Sequence, residues 1–485
     1  MKKHYLLLSL FFISFLGITY FLYNPCALYF LNDDLVHIPL SSQNFFFQQH
    51  SFRVMHEILI TIEYKFFAAN SVGYHYVQYL IHVLCSVLFF IFSYNLCKQF
   101  GTLKESNNIL VSVLSAAFFS IYAFHSEAIL WILGETASLA TLFFLPSAIT
   151  YMKREQGVFY FICSLVFFQI GLFTYESNWV APVFICLLSW ATVKSKGKPW
   201  KIERIYPVIY SGTFIINLII RKIILGQYGG SYGDNKLFGF NAKQLVYNGI
   251  CLFVRSFVPP SHSSIYFVIF TVVLFIVLFF VLRLILTKKV GDTLMLVLTL
   301  SFLASLIPTL TLGISTHSRE SERYLYLPSV FLCLLIIYTL FKLSLSTRVL
   351  YATIIVLFAY NIFYSYINTR DYAMASTIAK DYYAYFKKEE HNNDTIIVKD
   401  FPQQFNGVPL FRLGFKEGLA WLDNVDTSKI LIPADEEMKV STDYDKAIAK
   451  NDFNFSFRED KINSKREISL VFDTTYFSIA EFSKK

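Results

Sequence analysis

The chain has 485 residues, 55% of them hydrophobic, and a formal net charge of +8. Runs of about 20 apolar residues, the length that crosses a bilayer core, recur up to residue 368 and none follows, which excludes a wholly soluble protein. The seven cysteines lie in or beside apolar runs without a CxxC pair, and the cations sit in short clusters between runs, so disulfide frameworks, zinc sites and nucleic-acid binding are set aside.

The pattern predicts an α-helical polytopic membrane domain over 1–370 and a small α/β soluble domain over 371–485. The opening "MKKHYLLLSLFFISFLGITYFLY" starts like a signal peptide but has no small-residue cleavage site. Its apolar run is too long for a signal peptide's core, so it reads as a retained first span. About eleven spans follow from hydropathy: 4–23, 76–97, 108–124, 128–151, 158–174, 177–193, 205–224, 264–287, 292–311, 325–342 and 349–368. Lys2 and Lys3, Lys98 and Lys104, Lys153 and Arg154, "KSKGKPWKIER", Lys288 and Lys289, and Lys342 with Arg348 then fall on one side. By the positive-inside rule that side is the cytoplasm. The N-terminus is thereby cytoplasmic, and the tail and most polar loops face the opposite, extracytoplasmic side.

Just after the first span, "CALYFLNDDLVHIPL" carries Asp33 and Asp34. Such a pair either ends a span at the water interface or forms a partly desolvated site in which a general base is tuned. The stretch that follows, 45–72, has apolar residues at helical spacing (Phe52, Met55, Leu59, Ile62, Phe66) interleaved with Arg53, His56, Glu57 and Glu63. It is expected to lie in the interface rather than cross it.

In "GYHYVQYLIHVL", His75, Gln78 and His82 share one helix face, which suits the lining of a polar cavity. "FHSEAILWILGETASL" places Glu127, Trp131 and Glu135 on one stripe, with Glu135 about two turns into the bilayer. A carboxylate at that depth costs about 2.5–3.5 kcal/mol on insertion scales, so it needs a partner or a function. An ion pair between helices and a catalytic role both satisfy that demand. Glu176, where two spans meet, poses the same choice. "THSRESERYLYLPS" brings His317, Arg319, Glu320, Glu322 and Arg323 to the outer boundary, either as guanidinium forks that suit phosphate or as a solvated loop with internal Arg–Glu pairs. "GQYGGSYGDN" lacks the Gly-Lys-Ser/Thr ending of a phosphate loop and reads as a flexible loop or lid.

Taken together, "FLNDDLVHI" with 45–72, "GYHYVQYLIHVLCSVLFF", "FHSEAILWILGETASLATLFFL", "GLFTYESNWVAPVFICLL" and "SERYLYLPSVFLCLL" resemble the polytopic GT-C glycosyltransferases. That class includes protein O-mannosyltransferases, aminoarabinose transferases of lipid A and tetratricopeptide-bearing O-mannosyltransferases. The likeness extends over roughly residues 30–340. Not all of the family's usual Arg or Lys stretches are present, and no tetratricopeptide repeat follows the last span. The tail instead has strand-like "TIIVKDF", "KILIP" and "ISLVFDTTYFSIAEF". Size, the "MKKH" start and the periplasm-facing tail also resemble bacterial serotype-converting transferases, which decorate O-antigen with glucose.

The resemblance implies an inner-membrane enzyme that moves a sugar from a polyprenyl-phosphate donor, such as undecaprenyl-phosphate glucose, to a glycan acceptor, with inversion. It implies Asp33 as base, with Asp34 orienting acceptor hydroxyls or pairing with Arg53. Arg319, Arg323 and Arg53 become the donor-phosphate ligands. His75, Gln78, His82, Glu127, Glu135, Glu176 and His317 become pocket-lining groups, and no metal or other cofactor is required. A protein O-glycosyltransferase of the same fold is the alternative, and a lipid or glycan flippase a further one. A flippase would usually show repeated halves and a midplane site, whereas here no internal repeat is seen and the polar groups gather at one face.

Overall fold

Every one of the eleven apolar runs is helical in the computed structural model, which describes residues 2–43, 52–229, 234, 239, 241–261, 263–288, 291–343, 345–389, 395–399, 403–431, 454–462 and 465–473. In chain order the helices are α1 (Lys2–Tyr23), α2 (Asp34–Gln43), α3 (Val54–Phe67), α4 (Ser71–Phe100), α5 (Glu105–Ser120), α6 (Ser126–Leu130), α7 (Glu135–Met152), α8 (Val158–Leu172), α9 (Ala181–Lys196), α10 (Trp200–Glu203), α11 (Ile205–Leu225), α12 (Ala242–Arg255), α13 (Ser264–Lys288), α14 (Thr293–Ser305), α15 (Tyr326–Lys342), α16 (Thr347–Glu389) and α17 (Phe415–Asp423). Among the described residues six helices are long and apolar enough to cross a membrane. The number is seven if the pair Glu105–Ser120 and Ala123–Leu130, bent by 53°, is one span. The expected interfacial stretch is α3, while its residues 45–51 lie outside the described residues, as does half of the expected glycine-rich lid, at 230–233 and 235.

The chain forms two compact units. The first comprises Met1–Cys26, Asn44–Glu63 and Gly73–Thr369. Its centre is α15, in which every residue from Tyr326 to Leu334 is buried, so this helix is covered on all sides by protein. Phe331 on α15 meets Phe144 of α7 at 5.8 Å and Phe184 of α9 at 5.2 Å between ring centroids, within the range of favourable aromatic pairs. By contrast, α13 buries no residue at all. Being apolar all round, it is suited to contact with lipid on every face.

One expectation about helix continuity is corrected. Glu127, Trp131 and Glu135 do not lie on one uninterrupted helical stripe. α6 stops at Leu130, Trp131 is extended (φ −121°, ψ 123°), a single 3-10 turn covers Ile132–Gly134, and Glu135 is the first residue of α7 rather than two turns into a helix. The break is stabilised from α4: the Gln78 side-chain amide donates to the carbonyls of Ala128 (3.1 Å) and Trp131 (2.5 Å). In an apolar interior such carbonyls need a protein donor. Gly134 packs so closely that a Cβ there would collide with the backbone carbonyl of Glu127. Gly134→Ala should therefore cost about 1–3 kcal/mol through overpacking and lower the Tm in detergent. Gly17→Ala, with open space around its site, should leave the Tm unchanged or slightly raised.

The second unit gathers Ala27–Gln43, Tyr64–Val72 and Arg370–Lys485. The last apolar helix does not end near residue 368, because α16 runs on to Glu389. Beyond 370 its apolar residues fall on one face: Tyr372, Ala375, Ile378, Ala379, Tyr382, Tyr383 and Phe386 are buried. The helix thus changes from all-round apolar to amphipathic without interruption. This face packs through Tyr382 and Tyr383 on Phe411 and Phe415, at 5.1–6.1 Å between centroids.

The three strand-like stretches of the tail give β1 (Thr395–Lys399), β4 (Ile430–Leu431) and β6 (Lys465–Asp473), and the structure adds β2 (Gln404–Phe405), β3 (Val408–Pro409) and β5 (Asn454–Ile462), which the sequence reading did not name. A four-stranded sheet runs β4-β1-β6-β5, with β1 parallel to β4 and β6, and β5 antiparallel to β6. Residues 474–485, which include all of "TTYFSIAEF", lie outside the described residues.

Candidate functional site

The acidic pair lies in the second unit, and its two members are held differently. Asn32 takes a left-handed conformation (φ 50°), which asparagine tolerates. Its N–H donates to the Leu410 carbonyl at 2.6 Å, and its side-chain oxygen accepts from the Leu413 N–H at 3.0 Å. Gly414 completes the clamp: its φ of 87° favours glycine, and a Cβ there would meet the Asn32 carbonyl at 2.9 Å. Thus fastened, the turn starts α2, with the Asp33 carbonyl accepting from the N–H groups of Val36 and His37. Asp34, fully buried, turns inward and accepts from the Leu31 N–H at 3.0 Å. Asp33 is half-buried, and its Oδ1 has no hydrogen-bond partner among the described residues.

The other predicted groups lie in the first unit, in several clusters. Arg53 Nη2 and Arg221 Nη1 converge on Glu176 at 3.2 and 2.9 Å. The Arg221 side chain is wholly buried, donates also to the Phe52 carbonyl at 3.3 Å, and lies over the rings of Phe52 and Trp179. Two guanidiniums on one carboxylate give the three side chains one net positive charge. Burial alone would raise the Glu176 carboxyl, but Arg53 and Arg221 more than offset it and bring it down to about 2. Arg221 was not singled out from sequence, although its signal is there: one arginine in the otherwise apolar "FIINLIIRKIIL".

A second cluster gathers around α6 and the start of α15. Arg323 pairs with Glu127 through its side chain, donates its backbone N–H to the same carboxylate at 2.9 Å, and stacks over Trp131. Next to it, Glu322 accepts from Ser126 and from Arg255, an ion pair whose two side chains are both fully buried. Arg255 was also missed; it is the last residue of the amphipathic α12, where a basic side chain suits the helix C-terminus and calls for no other explanation. Arg319 Nε donates to Asn368 at 2.8 Å, while His317 is exposed, with Nδ1 2.9 Å from the Ser261 carbonyl.

His75, Gln78 and His82 are all buried and bonded to protein groups. His75 Nδ1 is 3.3 Å from the Gln78 amide oxygen, and His82 bridges Tyr326 (2.7 Å) and the Ser120 carbonyl (3.0 Å). They tie α4 to the helix break and to α15. Glu135 lies in a third cluster with His56 and Glu63, on α3. His56 Nε2 is 3.4 Å from Glu135 Oε1. Among the described residues no group of three or more His, Cys, Asp or Glu is arranged to hold a metal ion.

No known family profile matches the chain. Over 152 residues it is 27% identical to "Protein O-mannosyl-transferase F38B6.6" of Caenorhabditis elegans, a match that covers 30% of this chain and 20% of that protein. The chain thus matches only about a fifth of that relative's length. Among solved structures it is similar to ArnT from Cupriavidus metallidurans bound to undecaprenyl phosphate, with a TM-score of 0.46 and 10% identity over 95% of this chain and 97% of that one. By its motifs and by the O-mannosyl-transferase relative alike, this polytopic helical chain is similar to the membrane glycosyltransferases of the GT-C class.

Proposed function

We propose that the protein is an inverting glycosyltransferase of the bacterial inner membrane that uses a polyprenyl-phosphate sugar, glucose by preference, and glycosylates an O-antigen glycan on the periplasmic side. The N-terminus is cytoplasmic and the second unit periplasmic, as the distribution of Lys and Arg indicates. The acceptor hydroxyl attacks the anomeric carbon, the bond from that carbon to the phosphate oxygen breaks, and polyprenyl phosphate leaves with the bonding electrons. The hydroxyl proton passes to Asp33 as the new bond forms, since a hydroxyl is too weak an acid to ionise first. Arg319, Arg323 and Arg53 carry the charge of the leaving phosphate. No metal takes part.

The observation that carries this reading is the division of labour in the acidic pair. Asp34 is committed to the Leu31 N–H, whereas Asp33 keeps a buried oxygen with no hydrogen-bond partner among the described residues. The test is transfer by purified protein from polyprenyl-phosphate glucose to a defined O-antigen glycolipid. Asp33→Asn keeps the shape of the side chain and should lower turnover by about 10²–10⁴-fold, the usual worth of a general base. Full activity in that variant would remove Asp33 from the chemistry.

A second reading keeps the chemistry and changes the acceptor to protein Ser or Thr, favoured by the likeness over 152 residues to a protein O-mannosyl-transferase. Offering an acceptor peptide beside the glycolipid separates the two. A protein that transfers to neither, yet moves the lipid across vesicles, is a flippase.

A further inference from the structure

α3 turns one line of side chains toward the rest of the first unit. Arg53, immediately before the helix, is followed by His56, Ile60 and Glu63 at intervals of three or four residues, and the last three are buried. The far part of this line is unusual. His56 is 7% exposed, Glu63 2% and Glu135, opposite them at the start of α7, 0%. Among the described residues, His56 Nε2, both carboxylate oxygens of Glu63 and both of Glu135 are buried without a hydrogen bond.

Burial first and the Glu135 charge second raise the Glu63 carboxyl well above its ordinary value. Burial first and Arg53 second push the His56 imidazole down to about 3, so at neutral pH it is uncharged and does not neutralise the acids. Among the described residues nothing donates a hydrogen bond to the four carboxylate oxygens of Glu63 and Glu135. Such groups are costly unless something donates to them, and the three side chains are not arranged as a metal-ligand set.

The near end of the same line has the opposite character, because Arg53 and Arg221 meet there on Glu176. Arg53 precedes His56 by three residues, its carbonyl accepts the His56 N–H, and its charge acts on the imidazole, so the cationic and acceptor-rich ends adjoin. A glycosyl phosphate has the matching polarity: phosphoryl oxygens that only accept, then ring hydroxyls that donate. We infer that His56, Glu63 and Glu135 form the subsite for the hydroxyls of the transferred sugar, with the donor phosphate toward Arg53 and Arg221. The inference rests on the polyprenyl-phosphate-sugar reading above and assigns that donor's sugar end to particular side chains. Buried acceptors that bond a hydroxyl reject a ligand lacking it, because they are then left unpaired.

The experiment is a binding titration of the full-length protein in detergent, read by tryptophan fluorescence. Four lipids are compared: bare polyprenyl phosphate and its glucosyl, mannosyl and galactosyl derivatives. At least one sugar is expected to tighten binding about tenfold or more over the bare phosphate. Glu63→Gln and Glu135→Gln should each abolish that increment while leaving the Kd of the bare lipid unchanged, a pattern that a purely structural role would not produce. Glu63→Asp, which keeps the charge but shortens the reach, serves if a glutamine variant does not fold, and it too should lose most of the increment. Equal binding of all four lipids, or an increment that survives the substitutions, overturns the subsite alone. Binding of none of the four overturns the donor reading, and the subsite with it.

Discussion

Glu322→Gln is expected to destabilise the first unit by about 3–5 kcal/mol, because removing one member of a buried ion pair leaves the other charge uncompensated. The Arg255 and Glu322 side chains are both fully buried. Arg255 also donates to the carbonyls of Ser315 (3.0 Å) and Val258 (2.7 Å), so the guanidinium cannot swing out to water without breaking three contacts. Ser126 gives Glu322 its other donor, which makes the pair a junction between α6, α12 and the start of α15. Thermal unfolding in detergent should show a large loss in Glu322→Gln and a similar one in Arg255→Met. The double variant should recover much of it, since no unpaired charge then remains. Additive losses would mean that the two side chains act independently.

Glu176→Gln should have a comparable effect, with a pH signature of its own. The substitution leaves Arg221, whose side chain has no solvent exposure, without its carboxylate, so a loss of about 3–5 kcal/mol is again expected. Glu176 titrates at about 2 in the folded protein, below the ordinary glutamate value of about 4.3. A lowered folded pKa means that the carboxylate's contribution is fully present above the unfolded pKa and fades as pH falls through the folded one. The gap in stability between wild type and Glu176→Gln should therefore be constant above about pH 5 and narrow from about pH 4.5 toward pH 2. A gap that stays constant to pH 3 and below would place the cause in packing around Trp179 rather than in charge.

Much of the architecture was legible in the sequence because its causes are local. A run of about 20 apolar residues must be largely helical in a bilayer, where backbone groups have no water to bond, and ten of the eleven runs hold one main helix while 128–151 is split between α6 and α7. Three strands of the tail, β1, β4 and β6, were legible as short apolar runs, whereas the charged β5 (Asn454–Ile462) was not. What a hydropathy window passes over is the continuation of α16: beyond 370 only one face is apolar, which lowers the average while the helix persists. The polar residues were also visible, as charges that an apolar segment should not carry without reason. Their partners were not, because pairs such as Arg255–Glu322 and Arg221–Glu176 are separated by dozens of residues.

On its own, then, the sequence determined the class of protein, the helical segments and the polar groups that demand explanation, since hydropathy and unusual charge are properties of short stretches. Tertiary structure decided which of those groups are spoken for. It bends the chain between Ser120 and Glu135 with Gln78 as the support, and it commits Asp34 but not Asp33 Oδ1 to the turn that residues 410–414 clamp. It also gathers His56, Glu63 and Glu135 into one buried place. The physical reason is that a hydrogen bond or an ion pair is satisfied by whatever lies within about 3 Å, and in a folded chain that neighbour is rarely the one next in sequence.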